Sequence, residues 1–110
     1  MNYAELARAN FDQAEQAPTT EWKITMYFYS AVHVANYTRF KTARAGADYD
    51  HTRRRMWIRQ NWGAGPWSDY KALEDLSRIA RYLPHQHPMG PESLLEAKSL
   101  AKDLLAFAEL

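Results

Sequence analysis

The 27 residues from Thr19 to Ala45 contain neither glycine nor proline, and this uninterrupted run restricts the folds open to the chain more than any other feature. Its middle, Ile24-Thr25-Met26-Tyr27-Phe28-Tyr29, is aromatic and β-branched enough to pass for a strand. Length decides for a helix, because strands rarely run so far, and Ala31, Ala35 and Ala43 are strong helix formers. Trp22, Met26, Tyr29, Val32, Val34, Ala35 and Tyr37 cover most of the circumference, so this helix is expected to be central, with Trp22 packed in the core. Thr19 or Thr20 ahead of Glu21 supplies its cap, and Gly46 its stop.

The remaining segments read as helices joined by short breaks. Ala4, Ala7, Phe11 and Ala14 recur at helical spacing between Asn2 and Gln16, and Ala17-Pro18 ends that segment. Asp50 caps a shorter helix from His51 to about Trp62, stopped by Gly63-Ala64-Gly65-Pro66. Ser68 is expected to cap the next helix, with Ala72, Leu73, Leu76, Ile79, Ala80 and Leu83 as its apolar stripe and Lys71, Glu74, Asp75, Arg78 and Arg81 on the opposite face. Prolines 84 and 88 make the stretch from Pro84 to Gly90 an irregular loop. Pro91 then opens the last helix, with Ala97, Leu100, Ala101, Leu104, Phe107 and Ala108 as its apolar face. One all-α domain over residues 1–110 follows, an antiparallel bundle of four main helices with a short additional one.

Composition narrows the function classes. The chain has no cysteine, so disulfides, a cysteine nucleophile and a cysteine-based zinc site are excluded. No apolar run approaches a membrane span and the first residues lack a signal-peptide pattern, so the expected address is the cytoplasm, with no membrane partner. The net charge is only +1, yet it is uneven. Between Arg39 and Arg59 seven basic residues face only Asp48 and Asp50, while each flank is acidic. Such asymmetry suits a phosphate-binding face, and equally a solvated arginine cluster beside an acidic helix.

Three stretches in order carry a family resemblance. Trp22-Lys23-Ile24-Thr25-Met26-Tyr27-Phe28-Tyr29-Ser30-Ala31-Val32-His33-Val34-Ala35-Asn36 is followed by Asp50-His51-Thr52-Arg53-Arg54-Arg55 and then by Tyr70-Lys71-Ala72-Leu73-Glu74-Asp75-Leu76-Ser77-Arg78-Ile79-Ala80-Arg81-Tyr82. Over nearly its whole length this pattern resembles small prokaryotic HEPN proteins. The resemblance implies a four-helix up-and-down bundle, a homodimer, and nucleotide or RNA chemistry in defence and toxin–antitoxin systems, in some cases beside a nucleotidyltransferase-like protein partner. Many members are metal-independent ribonucleases that pair an Arg with a His separated from it by four to six residues, whereas others lack the pair and act as binding modules.

Two pairs meet that spacing, Arg78 with His85 and Arg81 with His87. The chemistry needs an imidazole that titrates near neutrality to move a ribose hydroxyl proton, and a guanidinium beside it to hold the phosphate. Pro84 lies between Arg and His in both pairs, so the His comes from a loop rather than a helix. The expected function is therefore a non-catalytic binding and dimerisation module, with a ribonuclease as the alternative and a structural subunit of a larger assembly as a third reading. Phosphate or ligand contacts are expected from His51, Arg53, Arg54 and Arg55 at a helix start, and from His33, Asn36 and Tyr37 on the central helix. For His33 the hydrogen-bonded core histidine is the expected role, with a place in a cleft beside Asn36 and Tyr37 as the alternative. His85 and His87 alone make a poor metal pair, and no cofactor is expected.

Overall fold

A computed structural model describes residues 2–43, 50–83 and 89–110. Its elements are five helices: α1 (Tyr3–Ala14), α2 (Thr20–Ala43), α3 (His51–Asn61), α4 (Ala64–Tyr82) and α5 (Pro91–Phe107). There is no strand among the described residues.

Most of the boundaries follow from side chains that satisfy the orphan N–H groups of a first turn. Asn2 Oδ1 accepts from the Glu5 N–H at 2.8 Å, Thr19 Oγ1 from Trp22 at 3.1 Å and Asp50 Oδ1 from Arg53 at 2.9 Å. Pro91 occupies the first turn of α5, where its missing N–H costs nothing. The α4 start departs from expectation. It begins at Ala64, four residues before Ser68, because Gly63 takes a positive φ of 83° that redirects the chain at once and Pro66 is tolerated within the first turn. Gly46 and residues 84–88 lie outside the described residues.

The long axis of the molecule, 39 Å, is nearly the length of α2, about 36 Å for 24 residues at 1.5 Å each. Phe11 packs edge-on against Tyr27, and Tyr3 against Phe40, so α1 runs antiparallel to α2. Phe28 meets Tyr70, and Ala80 with Arg81 shares a hollow with Trp22 and Thr25, so α4 is antiparallel to α2 as well. Lys98 reaches Glu15 near the start of α2 while Phe107 reaches Trp62 and, through it, Thr38, so α5 runs parallel to α2. The result is the expected up-and-down four-helix bundle, with α3 leaning on α4 as the short extra helix.

Ile24, Tyr27, Phe28, Val34, Ile58, Tyr70, Leu73 and Leu104 are fully buried at its centre. Two polar contacts knit α1 to this core. Ser30 donates its hydroxyl to the Ala7 carbonyl at 2.7 Å in a buried site, and the Tyr27 hydroxyl donates to Glu15 Oε1 at 2.7 Å. Lys98 donates to the same Glu15 oxygen at 2.6 Å. Lys98 and Tyr27 together hold the Glu15 carboxyl below the usual carboxylate range, while burial and the neighbouring carboxylate push the Tyr27 phenol upward.

Two expectations about faces are corrected. Trp22 is 57% exposed and no part of the core, because it stands at the rim of a hollow between α2 and α4 that it shares with Ala80 and Arg81. On α4 the buried face is Tyr70, Leu73, Glu74, Ser77 and Ala80, whereas Ala72, Leu76 and Ile79 are half-buried and Leu83 is exposed. Glu74 thus sits inside, not on the polar side. The tertiary partner of α4 is the aromatic face of α2, and Tyr70 docking on Phe28 sets the helix rotation ahead of its aliphatic stripe.

Candidate phosphate-binding groove

Three arginines in succession at the start of α3 leave the helix about 100° apart, so they cannot form one patch. Arg53 is exposed, Arg54 turns toward α2 and Arg55 turns toward α4, where its Nε donates to Glu74 Oε1 at 2.5 Å. The Glu74 side chain is 7% exposed and that of Arg55 45%, so the pair forms the floor of a groove between α3 and α4. The second Glu74 oxygen, Oε2, and the Ser77 hydroxyl one turn on are buried without a hydrogen-bond partner among the described residues.

Two hollows, of about 400 and 310 Å³, open along this groove on either side of the pair. The larger is walled by Arg59, Lys71, Arg78, Met56 and Trp67, the smaller by His51, Thr52, Arg78, Arg81 and Tyr82. Five cations, Arg55, Arg59, Lys71, Arg78 and Arg81, therefore share it with two carboxylates, Glu74 and Asp75. Asp75 holds Arg78 at 3.1 Å and Lys71 at 3.4 Å along one face of α4. These are exposed pairs worth about 0.2–0.5 kcal/mol each, so an incoming phosphate can displace them at little cost. Arg59 makes no ion pair among the described residues.

Several expected roles shift. Arg78 pairs with Asp75, three residues before it, while Arg55 occupies Glu74. Arg81, expected on the polar side, is half-buried: its guanidinium lies 5.5 Å from the Phe28 ring centroid and 5.1 Å from that of Tyr82, and its Nε donates to the Ser77 carbonyl at 3.3 Å. Arg78 and Arg81 come together with His51 in one hollow. His85 and His87, the other halves of the two Arg and His pairs, lie outside the described residues. The α3 N-terminus is not an open anion site, because the Asp50 carboxylate already takes the Arg53 N–H. His51 remains exposed, its Nδ1 3.4 Å from Arg54 Nη1.

The central-helix trio separates. Tyr37 lines a different hollow, with Lys41, Trp57 and Trp62, and Lys41 stands 5.8 Å from its ring centroid. Trp62 is buried, donates its indole N–H to Thr38 Oγ1 at 3.1 Å and packs against Tyr70 and Phe107, so it seals one end of the bundle. Asn36 is buried and His33 half-buried, and Asn36 Oδ1 and His33 Nδ1 have no hydrogen-bond partner among the described residues.

Burial, and then the charge of Arg54, hold the His33 imidazole below the ordinary histidine range. The unfolded chain therefore takes up this proton more readily than the folded one. The stability this lends is complete above pH 6.5, the ordinary histidine value, and is lost as pH falls from there through the folded-state value. Thermal melts between about pH 7 and pH 5 should show a falling Tm in the native chain and a distinctly flatter profile in His33→Gln. Equal slopes in the two proteins would refute this.

Sequence reasoning missed Glu74, Lys71, Arg59 and Trp67 as members of one groove. A signal for part of it was present: Tyr70, Glu74, Ser77 and Arg81 recur at intervals of four, three and four, which puts two charged groups on the edge of a buried face. Among the described residues no group of three or more His, Asp or Glu is placed to hold a metal ion, and no helix is long and apolar enough to cross a membrane. No protein-family model, curated protein or solved structure matches the chain.

Proposed function

We propose that this protein is a HEPN-like, non-catalytic binding module whose α3/α4 groove grips the phosphate backbone of single-stranded RNA. The observation that carries the reading is the excess of five cationic side chains over two carboxylates in one groove, with Trp67 and Tyr82 at its edges. Guanidinium forks hold phosphates, and the exposed Tyr82 ring, with the half-buried Trp67, offers stacking surfaces that tolerate any base. The order of segments that resembles HEPN proteins supports the same assignment and the same setting, a prokaryotic defence or toxin–antitoxin system.

Fluorescence anisotropy with a labelled single-stranded RNA, repeated across salt concentrations, tests it. Each phosphate contact contributes a slope of about −0.7 in log affinity against log salt, so several contacts give a steep decline. Replacing both Arg59 and Lys71 with alanine should weaken binding for all sequences alike and reduce the slope by about 1.4. A flat salt response, or an unchanged slope in the double variant, would sink the reading.

One observation favours cleavage as a second reading: His51 shares a hollow with Arg78 and Arg81, a proton-transfer group beside phosphate-holding groups. RNA incubated with the protein in EDTA distinguishes the two. Cleavage abolished by His51→Ala supports the ribonuclease, and intact RNA supports the binding module.

A further inference from the structure

Arg81 borders two spaces. It walls the smaller hollow of the cationic groove, and it also stands on the rim of a separate hollow of about 410 Å³ between α2 and α4. That volume falls within the roughly 300–1,000 Å³ usual for small-ligand sites. The shape follows from side-chain size. Trp22, Thr25 and Tyr29 succeed one another on α2 at intervals of three and four, so the small, buried Thr25 lies between two rings exposed at 57% and 41%. Ala80, equally small and buried, supplies the α4 side of the floor.

Two opposite charges on the rim lack partners. The Glu21 carboxylate makes no hydrogen bond or ion pair among the described residues, although its backbone carbonyl accepts from the Thr25 hydroxyl at 2.8 Å, which steadies the turn that carries it. Arg81 is held by the Phe28 and Tyr82 rings and by the Ser77 carbonyl, yet its two Nη groups donate to nothing among the described residues. A purely apolar occupant would strip water from both charges and offer neither a partner. The occupant therefore combines a flat ring for Trp22 and Tyr29, N–H donors for the carboxylate and acceptors for the guanidinium.

We infer that this hollow takes a guanine base of the RNA whose phosphates lie in the groove, so that the protein selects guanine at one position. The inference rests on the RNA reading and names the base that reading leaves open. Guanine alone among the four RNA bases meets all three requirements. Its N1–H and 2-amino group lie side by side and match the two oxygens of a carboxylate, while its O6 and N7 accept from one guanidinium fork. In adenine and cytosine a ring-nitrogen acceptor flanks the amino donor, and in uracil the N3–H stands between two carbonyl oxygens, so each of them repels a carboxylate. A free aromatic amino acid would also suit the two charges. Continuity favours the base: Arg81 lines both spaces, so a strand with a phosphate on Arg78 brings its next base to the hollow.

Anisotropy with a labelled uracil oligomer, and with the same oligomer carrying one guanine, tests this in the native chain. The guanine oligomer is expected to bind at least roughly fivefold more tightly, the low end of what a two-pronged contact contributes to choosing a base. Inosine in place of the guanosine removes only the 2-amino group and should abolish most of the gain. Glu21→Gln, which keeps the size of the side chain but not its two acceptor oxygens, should do the same. Calorimetric titration with guanosine monophosphate, adenosine monophosphate and tryptophan separates this inference from the RNA reading. Oligomers that bind equally, with a steep salt response, leave the RNA reading standing and overturn the guanine site. Absent oligomer binding, with guanosine monophosphate preferred over adenosine monophosphate and lost in Glu21→Gln, supports the guanine site and removes the RNA reading. Binding of tryptophan but of neither nucleotide assigns the hollow to an amino acid and overturns the inference, and no binding of any probe overturns both.

Discussion

Phe28→Ala is expected to cost about 3–5 kcal/mol, a large share of the roughly 5–15 kcal/mol that holds a domain of this kind folded. The ring is fully buried, its centroid lies 5.8 Å from those of Tyr70 and Tyr29, and Arg81 stacks 5.5 Å above it. Truncation leaves a cavity at the contact of α2 with α4, and the helices around it are too long and too firmly capped to collapse into the space. Melting followed by circular dichroism should show a Tm lower by roughly 15–30 °C. Trp22→Ala removes a larger ring, yet in dilute solution it should change the melt little, because that ring is in water. A Phe28→Ala melt within a few degrees of the native chain would contradict the assignment of this residue as the hub.

Arg55→Ala is expected to destabilise by about 2 kcal/mol, less than the roughly 3–5 kcal/mol for a fully buried pair, since Arg55 is 45% exposed and water screens it. The cost arises on the other side of the groove. Glu74 stays buried, now with neither oxygen paired, and a charge in that position has no cheap alternative partner. Replacing both members, with Arg55→Met and Glu74→Leu, should recover most of the loss, because apolar groups of similar volume carry no desolvation penalty. Urea denaturation measures all three variants. A double variant no more stable than Arg55→Ala alone would show that the loss is one of packing and not of an abandoned carboxylate.

The helices were legible in the sequence wherever a cap or a breaker marked them. Asn2, Thr19, Asp50 and Pro91 each satisfy or remove an N–H of a first turn, a local event that needs no knowledge of the fold. The α4 start was misread because Gly65-Pro66 breaks a helix in its interior but not in its first turn, and only the backbone at Gly63 decides which applies. The fate of Trp22 and Glu74 was illegible for a different reason. Which face of a helix is covered depends on what other helices bring to it, and the docking of Tyr70 on Phe28 overrides the aliphatic pattern of α4. The candidate site was half visible: the basic residues stood out, but the carboxylate that organises them comes from nineteen positions further on.

Glu15 has a further consequence for how the molecule opens. A single oxygen of this residue, at the end of the first helix, accepts from both Tyr27 and Lys98, the latter 83 positions along the chain. The first and last helices thereby meet at one atom, in a contact that water screens, since both side chains are nearly half exposed. Helix α3 is held by Ile58 in the core, by Arg55 on Glu74 and at its end by Trp62 on Thr38, while its first turn, from His51 to Arg53, is exposed. His51 and Thr52, on the rim of the groove, can therefore fray while its floor at Arg55 and Glu74 stays with the bundle.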